Sequence, residues 1–219
     1  MITRVPGIDV SRWQGEIDWH SVAEVGNRFA VIRATVGNQY TDPRFAVNWS
    51  SARDAGLLVS AYHVLKPMQS ADSQMAHLRD VLGNRKADLP LVLDIELHDD
   101  LSNIEVTTRI RECLRGAERI DKRKPVIYTA RWFWNIHVLS SSEWSQYDLW
   151  VANYDVDTPS LPTGWSECKF WQYSQEGNVP GISAKTDLNW FAGTHDELLQ
   201  YSRGHRPQKS QTRRRVPKE

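Results

Sequence analysis

Seven short runs rich in β-branched and aromatic residues recur along the chain, at 5–11, 29–36, 59–65, 89–97, 125–130, 148–154 and 169–174. This spacing constrains the fold more than any other feature. The intervening segments carry helical periods: Phe45, Trp49 and Ala52 before Gly56; Ala71, Met75, Leu78 and Leu82 before Gly83. Val106, Ile110, Cys113, Leu114 and Ala117 mark a longer amphipathic helix with Ser102 as N-cap, and a short helix is expected around 131–139. Strands alternating with helices argue for parallel pairing through crossovers, hence an α/β barrel or a doubly wound sheet. After about residue 155 the helical patterns between strands stop. A barrel with fewer helices in its last third fits that better than a regular eightfold one.

The run PLVLDIEL (90–97) looks like a buried strand yet carries Asp94 and Glu96. Side chains alternate along a strand, so the two acids share one face, their Cα atoms roughly 6.6 Å apart at two strand rises. Val92 precedes them on that face, while Leu91, Leu93 and Ile95 point the other way, toward the helices. Parallel barrels build their active sites at the C-terminal strand ends, and Asp9 closes the first strand in the same manner. Thr35, Tyr62, His63 and Tyr128 also fall late in their strands. Neighbouring carboxyls resist ionising together, which raises the pKa of one of them. A protonated acid beside an ionised one is what glycosidic cleavage requires. The bland alternative is a solvated pair or a structural ion-pair network at a strand end.

Other chemistries find no footing. There is no H-E-x-x-H, paired C-x-x-C, G-x-S-x-G or phosphate loop. The seven histidines are scattered without ligand spacing, and His98-Asp99-Asp100 reads as a solvated loop rather than a metal site. No metal or cofactor is expected. Cys113 and Cys168 are too few for a disulfide framework and read as reduced thiols. No apolar run of membrane-spanning length occurs.

Net charge is zero but uneven. Residues 203–219 hold seven of the 27 Lys and Arg and one of the 27 acids, leaving 20 basic against 26 acidic residues in 1–202. An acidic body is unsuited to nucleic acid. The expected organisation is one catalytic barrel over 1–202 and a disordered basic tail over 203–219, the tail touching at most anionic wall polymers or lipids.

GIDVSRWQG (7–15), RATVG (33–37), SAYHV (60–64), PLVLDIE (90–96), PVIYT (125–129), LWVANY (149–154), WQYS (171–174) and DLNWF (187–191) together resemble the glycoside hydrolase family 25 lysozymes, some of which are phage endolysins. The resemblance implies an irregular (β/α)5(β)3 TIM-like barrel. It also implies cleavage of the β-1,4 bond between N-acetylmuramic acid and N-acetylglucosamine in peptidoglycan. It assigns Glu96 as general acid, Asp94 as the group steadying developing positive charge, and Asp9 and Asp187 as the rest of an acidic ring. Tyr62, Trp150, Tyr154, Gln172 and, less directly, Trp13 fall at positions that line the sugar cleft. Family members often read Lys-Ala-Thr-Glu-Gly where Arg33-Ala34-Thr35-Val36-Gly37 stands here, so Val36 removes one acid from the rim.

Rival readings fail on particular residues or await assay. A chitinase-like barrel would carry Asp-x-Asp-x-Glu, and its first position here is Val92. A wall carbohydrate-binding module without turnover would not need Asp94 and Glu96. The protein is expected to be a monomer acting on the bacterial wall. With no signal segment at the start, it would be released through a pore made by another protein or exported with a signal not included here.

Overall fold

The computed structural model describes residues 3–204. Its strands are β1 (Arg4–Val10), β2 (Phe29–Val36), β3 (Tyr40–Thr41), β4 (Leu58–Val64), β5 (Val92–Asp94), β6 (Val126–Ala130), β7 (Leu149–Ala152), β8 (Phe170–Gly177) and β9 (Thr186–Ala192). The helices are α1 (Trp19–Glu24), α2 (Phe45–Asp54), α3 (Ala71–Leu82), α4 (Asn103–Asp121), α5 (Arg131–His137) and α6 (His195–Ser202).

Eight strands close a barrel in the order β1-β2-β4-β5-β6-β7-β8-β9, and β9 returns to β1. Pairing is parallel from β1 round to β8; β9 runs antiparallel to both neighbours. The two-residue β3 hangs on the end of β2. One helix follows each of β1, the β2–β3 hairpin, β4, β5 and β6, and none separates β7, β8 and β9. The irregular (β/α)5(β)3 barrel that the resemblance implies is therefore the fold, and the helices between strands run out where the periodicity does.

Strand alternation divides the apolar residues into two layers. Ile8, Ile32, Leu91, Leu93 and Ile95 face outward into the shell of helices. Phe29, Val31, Val92, Trp150, Phe170 and Phe191 face inward. Phe170 meets Phe29 and Phe191 edge-on, each pair with ring centroids 5.4 Å apart, so aromatic rings plug the barrel. α6 closes this end: Leu198 is fully buried, and Tyr201 packs on Phe170 and Phe191.

Local signals explain the helix ends. Ser102 and Glu105 form a capping box at the start of α4, as do Thr194 and Glu197 at α6. Gly83 ends α3 at φ +55°, a backbone that side chains resist. Cys113 is buried in the shell, its thiol pushed up to about 12 by burial, and neither cysteine is in a disulfide.

Two expectations need amending, and a third is not reached by the described residues. The 89–97 strand shrinks to Val92–Asp94. The periodicity shows no sign of α1, α6 or β9. The basic tail expected over 203–219 lies outside the described residues from 205 onward.

Candidate active site

Although β5 ends at Asp94, its geometry carries on. The Ile95 amide donates to the Tyr128 carbonyl at 2.9 Å, and Thr129 Oγ1 donates to the Ile95 carbonyl at 2.8 Å. Ile95 thus stays pinned outward, and Asp94 and Glu96 fall on the inner side. Both line a cleft of about 430 Å³ at the C-terminal mouth of the barrel, together with Asp9 and Asp187. Because β9 is antiparallel, its beginning lies at the end where the other strands finish, and Asp187 sits directly across from Asp9. All four acids expected from the sequence converge.

Their surroundings differ. Asp9 is buried, and its Oδ2 accepts from Asn189 Nδ2 and Gln172 Nε2, each at 2.8 Å. Burial raises its pKa, and these hydrogen bonds hold the rise back. Asp187 is pushed up to about 8 by burial, by the charge of Asp9 and by a hydrogen bond with it. Asp94 is buried, and its Oδ1 has no hydrogen-bond partner. Burial first, then the charges of Glu96 and Asp9, lift its pKa well above the carboxylate range. Glu96 is raised by burial and by Asp9, yet its side chain is accessible to solvent at the mouth. It is flanked by protein and open toward an incoming ligand, which accounts for both properties. Four such groups titrate as a set.

A polar relay fixes the floor. Gln172 Oε1 accepts the hydroxyls of Tyr128 (2.9 Å) and Tyr154 (2.6 Å), which orients its amide nitrogen toward Asp9. On the other side, Trp150 Nε1 donates to Asn189 Oδ1 at 2.9 Å, which aims the Asn189 amide nitrogen at the same carboxylate. Trp150 lines the cleft with 3% of its surface accessible and also supports this relay. Tyr154 borders the cleft, its hydroxyl raised to about 12 chiefly by burial. Tyr62 is held protonated by burial and by the charge of Asp9. Trp13, on the turn after β1, stands 67% exposed at the rim with the Arg12 guanidinium 4.4 Å over its ring.

Two late-strand residues do not join the site. A bulge in β2 between Arg33 and Thr35 re-aims the side chains that follow. Thr35 Oγ1 lies 2.7 Å from His63 Nδ1, and His63 Nε2 lies 3.1 Å from Gln74 Oε1 on α3. This chain is buried under the helices, and desolvation drops His63 to about 4, so its imidazole is neutral. Arg33, ahead of the bulge, points inward; its Nε is 2.8 Å from Asp42, and it brings positive charge to the acid cluster. Arg33 and Asn189 were not picked out in the sequence. Val36 lines the rim, as the altered motif implies.

The His98-Asp99-Asp100 loop is structural. Asp99 and Asp100 take positive φ, Asp99 Oδ2 accepts from the Met68 amide, and His98 stacks on His137 with centroids 4.2 Å apart. A larger depression of about 880 Å³ lies on the helical shell between α3 and α4, lined mainly by basic and apolar side chains. It holds none of the acid cluster, so chemistry points to the smaller cleft.

A closed barrel with carboxylic acids crowded at its C-terminal mouth is the layout of a glycoside hydrolase. The sequence model for glycosyl hydrolases family 25 matches residues 8–182. Lysozyme M1 of Streptomyces globisporus is 37% identical over 209 residues, covering 89% of this chain and 70% of its own length. The crystal structure of a lysozyme from Streptomyces coelicolor superposes with a TM-score of 0.83 at 35% identity, covering 91% of this chain and 97% of that one. A muramidase from Acremonium alcalophilum also gives a TM-score of 0.83, at 29% identity, over 92% of this chain and all of the other. The chain belongs to glycosyl hydrolases family 25.

Proposed function

We propose that the chain is a lysozyme that hydrolyses the β-1,4 bond between N-acetylmuramic acid and N-acetylglucosamine in bacterial peptidoglycan. One observation carries the assignment of roles: a buried carboxyl with an unpartnered oxygen, Asp94, adjoins an accessible carboxyl, Glu96, in one cleft. Glu96 can reach a ligand, and burial together with the charge of Asp9 favours its protonated form. It is the general acid, giving its proton to the bridging oxygen as the bond breaks.

Asp94 Oδ1 is the acceptor for the N–H of the 2-acetamido group. That hydrogen bond turns the acetamido oxygen toward the anomeric carbon as positive charge develops there. Asp9 and Asp187 share a proton across β1 and β9 and supply further negative potential. Gln172 and Asn189 hold Asp9 in place, and Tyr62 keeps its hydroxyl hydrogen for donation to the sugar. Trp13 offers a ring at the rim. Among the described residues, no group of His, Cys, Asp and Glu is arranged to hold a metal ion. No helix among the described residues is long and apolar enough to cross a membrane.

The test is to digest purified peptidoglycan and identify the new reducing ends by mass spectrometry. Muramic acid at those ends supports this reading, whereas glucosamine ends or an absence of cleavage would overturn it. The same digestion by Glu96→Gln is expected to yield almost no product.

A further inference from the structure

Beside the cleft lies a second groove of about 460 Å³, between α5 and the segment that leaves β7. It is lined by Arg131, Trp132, Asn135, Ile136, Asn153 and Val156, among others. Nothing in the proposed reaction uses it. The apolar members are unusually open for their kind: Trp132 is 64% exposed, Ile136 58% and Val156 42%. Apolar surface gathered in a concave, partly polar setting is a common mark of a ligand site.

Arg131, Asn135 and Asn153 present donors, and the Ser160 hydroxyl can donate or accept. Asn153 Oδ1 accepts from the Ser160 amide at 2.7 Å, and Asn135 Oδ1 accepts from the Thr163 amide at 2.8 Å. Both side-chain oxygens are therefore committed to backbone of the β7–β8 connection, and each leaves its NH₂ group for a ligand. Arg131 forms no ion pair among the described residues. No carboxylate lines the groove; Asp155 and Asp157 flank Val156 without contributing to its wall. A cation and two amide donors beside a Trp, an Ile and a Val suit a ligand that alternates carboxylates with short alkyl groups. A neutral sugar, which needs several acceptors as well as donors, finds one such side chain in Ser160 and is a poorer match.

Position narrows the ligand further. Asn153 lines the groove and the next residue, Tyr154, lines the catalytic cleft, so one stretch of backbone forms the wall between them. α5 begins directly after β6, which places the groove at the same barrel end as the acids. A molecule reaching both sites would lay a sugar chain in the cleft and send a branch over residues 153 and 154. We propose that this groove binds the peptide stem borne by the muramic acid residues of peptidoglycan. The proposal rests on the lysozyme reading above for its choice of polymer, while the groove's preference for a carboxylate-bearing peptide rests on its own residues.

The experiment has two arms. In the first, a free tetrapeptide stem is titrated into the wild-type protein and followed by calorimetry or NMR, with a chitin oligosaccharide as comparison. Arg131→Gln and Trp132→Ala, both at exposed positions, are expected to weaken peptide binding by about fivefold or more and leave oligosaccharide binding unchanged. In the second, intact peptidoglycan and peptide-stripped glycan strands are digested. The same variants should raise KM on the intact polymer several-fold, with little change in kcat, and behave as wild type on stripped strands. Peptide binding that is absent, or equal in wild type and both variants, overturns the groove assignment whatever the hydrolysis shows. Peptide binding without any glycan cleavage would instead remove the lysozyme reading and keep the groove as a peptide site.

Discussion

Asp187 faces Asp9 across the antiparallel pairing of β9 with β1, and the two carboxyls are joined by a hydrogen bond. Two acids in that position share a proton. An unfolded chain would release the Asp187 proton near its ordinary 3.8; the fold holds it to about 8. Between those values the native state carries a proton that the unfolded state lacks. The contribution to stability is complete below about pH 4 and is lost as pH rises toward 8. Asp187→Asn removes this dependence. The melting temperature of the variant should gain on wild type between pH 5 and 8, by at least about 2–4 °C if the effect is worth ~1 kcal/mol. Parallel melting curves for the two proteins across that range would refute the shared proton.

Glu96→Gln keeps the shape of the cleft and removes the transferable proton. Wall-lysis rates should fall on the order of 10²- to 10⁴-fold, as expected for loss of a general acid. Thermal stability should hold or rise, because a carboxyl is removed from a cluster of like charges. Activity close to wild type would end the assignment.

Gln172→Met tests the relay. It strips Asp9 of one donor and leaves the Tyr128 and Tyr154 hydroxyls without their shared acceptor. Each buried polar group left unsatisfied costs about 1–3 kcal/mol. Urea denaturation should therefore show a clear loss of stability together with reduced turnover. An unchanged midpoint would mean that water replaces the amide.

Gly7 shows how closely the barrel is packed. A Cβ there would lie 2.5 Å from the Phe29 ring, its partner in the β1–β2 register. Gly7→Ala should cost about 1–3 kcal/mol through overpacking. A second change, Phe29→Leu, is expected to recover part of that loss when combined with it, measured by a double-mutant cycle in urea. Additive losses would place the strain elsewhere.

Much of this was readable before any coordinates. Leu91, Leu93 and Ile95 alternate with Val92, Asp94 and Glu96, and that alternation alone separates the outer core from the cleft. What escaped did so for physical reasons. α1 buries only Trp19 and Val22, too few to show a period. The direction of β9 depends on its partners and leaves no mark in its own residues, so Asp187 entered only through family resemblance. Thr35 has the look of a rim residue because a one-residue bulge in its own strand cannot be seen in a pattern of alternation, while His63, next to the inward Tyr62, takes the opposite face by alternation alone. Asn189 could have been found, since it stands two residues beyond Asp187. The T-x-x-E signature at Thr194 and Glu197 likewise marks the start of α6, but that helix buries only Leu198, too little to show a period.

The closing strand gives the enzyme a built-in order of assembly. Asp9 lies on the first strand of the barrel and Asp187 on the last, so on the proposed assignment a growing polypeptide holds no complete acid cluster until β9 slots in beside β1. Trimming that removes β9 would disarm the protein while sparing most of its helices.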